Sequence, residues 1–187
     1  MALRIQGGEF RSRLLTAPGG RGTRPTRALV RQAAFNILQG VCPGSRVLDL
    51  FAGSGAMGLE ALSRGAEYAV LCDSGREAVE AIKANIKALK VENRCTVLQM
   101  GWQAALRRLA GEGEKFDMII LDPPYQLEAG EVLREIVNMG MLLVDGWLLY
   151  EHASGRQPEA APGLAITLSR SYGESALSLM HTGTEES

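Results

Sequence analysis

At residues 121–126 the chain reads LDPPYQ. A run of almost wholly apolar residues, Phe116 to Leu121, ends there in an acid, two prolines and an aromatic ring. Neither proline has an N–H to donate, so the segment can neither continue a strand nor enter a helix interior. Their fixed φ angles make a stiff turn, which leaves Asp122 and the carbonyl of Pro123 little conformational entropy to lose. Two such acceptors can bind both hydrogens of one exocyclic amino group on a nucleobase. An amine of that kind is a poor nucleophile because its lone pair is delocalised into the ring. Holding both N–H bonds favours a more tetrahedral nitrogen with its lone pair aimed outward. Pro124 completes the rigid turn, and Tyr125 offers a ring for base stacking worth about 1–3 kcal/mol. A base inside a duplex cannot reach such a turn, so the target is single-stranded or flipped out. Taken alone, the tetrapeptide reads equally well as a proline-stiffened loop.

A second cluster supplies what the first lacks. LDLFAGSGAMGLEAL (48–62) carries Gly53, Gly55 and Gly58 between an apolar run and a helical stretch. Glycine permits positive φ and lets a ligand approach the backbone, while a helix N-terminus offers unpaired N–H groups. The G-x-G-x-x-G spacing also matches a dinucleotide site. The flanking acids favour a different ligand. Asp49 precedes the glycines and Asp73 ends the next apolar run, where it could grip ribose hydroxyls. A carboxylate near the loop suits a cation and repels a diphosphate. S-adenosylmethionine fits that requirement, having a sulfonium, an ammonium, a ribose and an adenine but no phosphate. The structural alternatives are that Asp49 caps the turn through backbone N–H groups and that Asp73 is a helix N-cap.

These residues need a frame that brings them to one place. From Ser45 onward, apolar runs alternate with helical stretches: strands at 46–51, 69–73, 95–100, 116–121 and 147–152, and helices at 56–64, 77–90, 103–110 and 128–138. Strands that are apolar throughout and separated by helices predict an α/β fold with a parallel sheet covered on both faces. In such a sheet the ligand pocket lies beyond the carboxyl ends of the strands, which is where both motifs fall. Residues 163–182 read instead as two alternating strands joined at Tyr172-Gly173-Glu174-Ser175, a hairpin finishing the sheet antiparallel. Residues 3–15 read as two short strands around Gly7-Gly8. A helix over 26–39, N-capped by Thr26, should pack Val30, Ala34, Ile37 and Leu38.

Composition limits the remaining possibilities. The 187 residues are enough for one domain, with residues 1–25 as a basic arm attached to it. No apolar run approaches the length of a membrane span. Cys42, Cys72 and Cys95 are odd in number and lack CxxC spacing, which argues for reduced thiols in a cytoplasmic protein. His152 and His181 are isolated, and no metal site is expected. The net charge of −1 hides an asymmetry: residues 1–31 hold seven arginines and one acid, or +6, leaving 13 basic and 20 acidic residues, or −7. Arginine grips phosphate through a planar fork, so the arm suits contact with phosphates. A solvated terminal segment explains the same charges equally well.

Together, GTRPT (22–26) with VRQAAFNIL (30–38), LDLFAGSGAMGLEALSRGA (48–66) and FDMIILDPPY (116–125) resemble the bacterial 16S rRNA (guanine-N2)-methyltransferases of the RsmD type. The resemblance runs from about Arg4 to Met180. It implies a Rossmann-like class I methyltransferase fold with a seven-stranded, mostly parallel sheet and an antiparallel last strand. It also implies S-adenosylmethionine as donor and a guanine 2-amino group of 16S rRNA as acceptor. An arm of six net positive charges is small for holding structured RNA unaided, so an assembled or assembling 30S particle is the expected partner and a monomer the expected state. By that resemblance Asp49, Phe51, Ala52, Gly53, Ser54 and Gly55 line the methionine part of the cofactor, while Asp73 and Ser74 hold the ribose. Asp122, Pro123, Pro124 and Tyr125 form the catalytic turn. Arg11, Arg13, Arg24 and Thr26 face RNA. The chain departs from the pattern at Ala28, Gln32 and Gly101, so adenine must be read by backbone, Gln99, Gln103 or Trp102. A DNA adenine-N6 or cytosine-N4 methylase and a non-catalytic RNA-binding assembly factor are the competing readings.

Overall fold

The computed structural model describes residues 2–20, 25–124, 127, 129–155 and 158–183. Five apolar runs become β1 (Arg46–Asp49), β2 (Tyr68–Asp73), β3 (Cys95–Gln99), β4 (Phe116–Leu121) and β5 (Leu142–Ala153). All five run parallel to one another. The terminal hairpin supplies β6 (Leu164–Tyr172) and β7 (Ser175–Thr182), and β7 inserts between β5 and β6, antiparallel to both. The resulting order, β3-β2-β1-β4-β5-β7-β6, is that of a class I methyltransferase sheet. β5 is longer than the sequence suggests. Residues 143–146 bulge between the pairs Phe116–Leu142 and Met118–Trp147, with Asp145 at φ 62°.

Alternation along each strand feeds two cores. Val47 of β1 and Met118 and Ile120 of β4 face one, while Leu48, Ile119 and Leu121 face the other. The first is covered by α1 (Pro25–Ile37), α2 (Ala56–Ser63) and α3 (Arg76–Leu89), the second by α4 (Trp102–Gly111) and α5 (Ala129–Asn138). Leu59, Leu62, Ile82, Leu106, Leu133 and Ile136 are fully buried beneath these helices. Each such side chain stabilises the fold by roughly 1.5–3 kcal/mol relative to exposure. No helix among the described residues is long and apolar enough to cross a membrane.

Two expectations for the head of the chain need correction. Residues 3–15 pair only at their outer ends, where Arg4 and Leu14 form an antiparallel bridge. Hydrogen bonds flank it, from the Leu15 N–H to the Leu3 carbonyl at 2.9 Å, from Ile5 to Arg13 at 3.1 Å and from Ser12 to Ile5 at 2.9 Å, and no ladder continues between them. The reason is a competing partner. The N–H groups of Gln6 and Gly7 donate to the two oxygens of Glu60 on α2 at 2.7 and 2.9 Å. Those of Glu9 and Phe10 donate to the backbone and side-chain oxygens of Ser63 at 2.7 and 2.9 Å. Gly8 makes this docking possible: at φ 76°, a Cβ there would lie 1.8 Å from the Ser63 carbonyl oxygen. Helix α1 starts at Pro25, so Thr26 lies inside its first turn instead of capping it, as proline at the first helical position allows. Ile37 is exposed, and Phe35 takes the predicted place in the core.

Candidate active site

The parallel pairing brings the C-terminal ends of β1, β2 and β4 to one edge, with Asp49 level with Leu71 and Ile120. A cleft of about 530 Å³ opens there. It gathers residues predicted from three separate loops: Phe51 and Gly53 after β1, Asp73 and Ser74 after β2, Gly101 and Trp102 after β3. Asp122, Pro123 and Pro124 overhang it from the end of β4. Tyr125 and Arg24 lie outside the described residues.

The two loop acids differ in what they touch. Asp73 lines the cleft and is held by two glycine N–H groups, from Gly53 to Oδ2 and from Gly75 to Oδ1, both at 2.8 Å. Helix α3 takes no side-chain cap from it, since Gly75 occupies the N-cap. Asp49 is 1% exposed and lies behind the loop, where its Oδ2 accepts the Gly58 N–H at 2.9 Å. The capping role thus describes its contact better than direct exposure to the cleft. Burial pushes the Asp49 carboxyl up to about 7; the Gly58 bond opposes that shift, and the charges of Asp122 and Asp73 add to it. Three acids converge on one pocket edge, and such a field favours a cation.

The glycines divide the work. Gly53 and Gly55 sit at φ 56° and 76°, and a Cβ on Gly53 would meet nothing within 4 Å, so the backbone there is open to a ligand. Gly58 is a packing residue: its Cβ would lie 2.2 Å from Leu71 Cδ2, so glycine lets α2 press against β2. After β3, Gly101 is the N-cap of α4, which puts Trp102 on the cleft wall at 8% exposure. Gln99 and Gln103 are exposed and do not line the cleft.

On the other side of Pro123-Pro124 lies a second cavity of about 190 Å³, with Tyr150, Glu151, His152 and Ala153 at the end of β5. Tyr150 and His152 stack with centroids 4.9 Å apart. His152 is buried; Nδ1 donates to the Ala153 carbonyl at 3.0 Å, so Nε2 accepts from the Ser178 hydroxyl at 2.8 Å in the neutral ring. Sequence reasoning gave these residues no role, since His152 reads as an isolated histidine at the end of a strand.

Among the arm arginines, Arg11 is exposed, and Arg13 donates to the Ala88 carbonyl at 2.8 Å, near the C-terminus of α3. Neither lines the cleft. Sequence reasoning also assigned no role to Asn85, although a polar residue within the α3 apolar stripe of Ile82, Ile86 and Leu89 was a signal. Its side chain, 1% exposed, accepts from the Thr16 N–H at 2.7 Å and donates to the carbonyls of Thr16 and Ser54, each at 2.9 Å. The arm and the glycine loop therefore share one side chain.

Residues 3–181 match the family described as conserved hypothetical protein 95. Ribosomal RNA small subunit methyltransferase D of Escherichia coli K12 is 37% identical over 162 residues, 87% of this chain and 77% of that protein. The Haemophilus influenzae protein of the same name is 29% identical over 161 residues, 86% and 83% of the two chains. The solved structure of a hypothetical protein from Thermus thermophilus superposes with a TM-score of 0.80 at 32% identity, covering 94% of this chain and 97% of that one. A more distant structure, of a methyltransferase complexed with SAH, shares the fold at a TM-score of 0.71 and 13% identity, over 86% of this chain and 51% of its own. The match across nearly its whole length, together with these identities, places the chain in the ribosomal RNA small subunit methyltransferase D family.

Proposed function

We propose that this protein transfers a methyl group from S-adenosylmethionine to the exocyclic N2 amino group of a guanine in 16S rRNA. The observation that carries the reading is the position of the Asp122-Pro123-Pro124 turn, a wall with the 530 Å³ cleft on one side and the 190 Å³ cavity on the other. A donor and an acceptor seated in the two spaces meet across Pro123 and Pro124, with Asp122 on the cleft side.

The cleft suits the cofactor. Asp73, oriented by two backbone N–H groups, presents acceptor oxygens for ribose hydroxyls. Trp102 and Met100 offer apolar surface for adenine where Gly101 leaves no side chain to bond its amino group. Asp122, Asp73 and the buried Asp49 make the surroundings negative for a sulfonium. When bound, the cofactor supplies an electrophilic methyl group. Asp122 and the Pro123 carbonyl hold the two hydrogens of the incoming amine and turn its lone pair toward the cleft. The proline pair keeps both acceptors in place, so little ordering remains at the moment of reaction. Pro123 is buried, whereas Pro124 is exposed and faces both spaces. Tyr150 borders the acceptor cavity, and Tyr125 remains the proposed stacking ring.

The RNA is a single-stranded or flipped-out segment within an assembling or assembled 30S particle, approached by a cytoplasmic monomer. The relatives' names point to small-subunit rRNA. The arm supports the particle over naked RNA: its charges are few, and Arg13 is partly committed to α3. The test incubates the protein with methyl-labelled S-adenosylmethionine and three substrates: 30S particles from a strain lacking this gene, naked 16S rRNA, and duplex DNA. Nucleoside mass spectrometry should find N2-methylguanosine, formed fastest on particles. Label in DNA adenine or cytosine, or in no substrate at all, would overturn the reading.

A further inference from the structure

Resting on the cofactor reading above, we infer that Arg31 of α1 binds the carboxylate of the cofactor's amino-acid end, with Asp122 and Glu151 facing its ammonium. A small pocket continues from the cleft, sharing Phe51, Gly53 and Asp122 with it. With adenosine beside Asp73 and Trp102, a tail leaving the sulfonium has this pocket as its continuation past Gly53.

The pocket's chemistry matches an α-amino-carboxylate. Arg31 lines it although the residue is only 5% exposed. Its Nη2 donates to the Arg4 carbonyl at 2.5 Å, and its Nε lies 3.6 Å from Glu60 Oε2 with no hydrogen-bond acceptor among the described residues. Glu60 is itself shared, since Arg64 Nε donates to its Oε1 at 2.8 Å. One carboxylate thus faces two guanidiniums, and Glu151 is the other acid whose charge reaches Arg31. Burial lowers the Arg31 pKa despite the attraction of Glu60 and Glu151, so an added anion would favour the charged form. Ala56 and Met57, the first residues of α2, line the same pocket, and first-turn N–H groups have no acceptor inside their helix. Anions are favoured at that end of a helix. The carboxylates of Asp122 and Glu151 line the pocket as well. A cation, helix N–H groups and two acids around one small space are complementary to a zwitterion.

Calorimetry on the full chain tests this without turnover. The probes are S-adenosylhomocysteine; 5′-methylthioadenosine, which keeps adenosine and sulfur but lacks the amino-acid end; and the decarboxylated homologue of S-adenosylhomocysteine, which lacks only the carboxylate. The wild-type protein should bind S-adenosylhomocysteine at least about 10-fold more tightly than either trimmed probe, as a charge-assisted pair implies. Arg31→Met should reduce S-adenosylhomocysteine affinity about 10- to 100-fold and leave 5′-methylthioadenosine affinity within about twofold. Glu151→Gln should give a smaller loss in the same direction. An unchanged ratio between the two probes in Arg31→Met overturns the inference. If that variant does not fold, the wild-type comparison decides: equal affinity for the decarboxylated probe and S-adenosylhomocysteine overturns it. Failure of the wild type to bind any of the three removes the cofactor reading itself, which is a distinguishable result.

Discussion

Two buried carboxylates, about ten residues apart in sequence, illustrate opposite uses of one functional group. Glu60, fully buried under the arm, accepts from the Gln6 and Gly7 backbone and from Arg64, with Arg31 close by. Asp49, 1% exposed at the cleft, accepts one backbone N–H from Gly58 and has Asp73 and Asp122 as charged neighbours. A buried charge is tolerated when donors and cations surround it, and is costly when other acids do. The arm site is compensated and holds structure together. The cleft site is under-compensated, and that is the condition under which a cationic ligand gains most from binding.

The largest test of this contrast removes an acid from the cleft. Asp122→Ala should cut methyl transfer about 1000-fold or more, the scale of losing an oriented group that acts on the reacting atoms, while S-adenosylhomocysteine affinity falls by no more than about 10-fold through the lost ammonium contact. Single-turnover assays and calorimetry separate the two effects. A loss of cofactor binding with intact turnover would reverse the roles. On the arm side, Glu60→Ala should lower stability by about 3–5 kcal/mol in urea unfolding, since it strands buried donors and a guanidinium. If stability barely changes, the arm is not held as the hydrogen bonds imply. Asn85→Ala sits between the two regions. It should cost about 1–3 kcal/mol of stability and also weaken S-adenosylhomocysteine binding, because the Ser54 carbonyl and Thr16 lose their common partner.

A further test is a pH dependence. The folded-state carboxyl of Asp49, near 7, is above its ordinary value near 4, so its contribution to stability is full below about pH 4 and lost as pH rises through 7. Asp49→Asn should remove that slope from unfolding midpoints measured between pH 4 and 8. A cation favours the ionised form, so S-adenosylmethionine binding releases a proton and should tighten with rising pH, by at most about 10-fold between pH 6 and 8. S-adenosylhomocysteine, with neutral sulfur, should show less. Identical pH profiles for the two would separate Asp49 from the sulfonium.

Much of the architecture was legible because apolar continuity is a local property. The runs at 46–51, 69–73, 95–100 and 116–121 became strands within a residue or two at most ends. The hairpin at 163–182 also formed where alternation and the Gly173 turn put it. Residues 3–15 failed the same logic. Their alternation is real, Leu3, Ile5 and Leu15 are buried, and Ile5, Ser12 and Leu15 still pair across the segment, but the backbone donors of Gln6, Gly7, Glu9 and Phe10 went to Glu60 and Ser63, more than fifty residues away. Asp49 shows a similar limit: its place before the glycines marked it as important, while only the packed loop shows that it bonds Gly58 and lies behind the cleft.

From its own residue order the chain determined a parallel sheet with an antiparallel finish, a glycine turn after the first strand, and a rigid acid-proline turn after the fourth. Periodicity, glycine and proline act over a few residues and need no distant partner. Tertiary structure alone decided which side chains share a space. It brought Arg31, Asp122 and Glu151, from three separate elements, to one pocket, and joined the arm to the cofactor loop through Asn85. Those meetings depend on helix packing and strand register, where a buried polar group takes whichever partner the fold brings within about 3 Å.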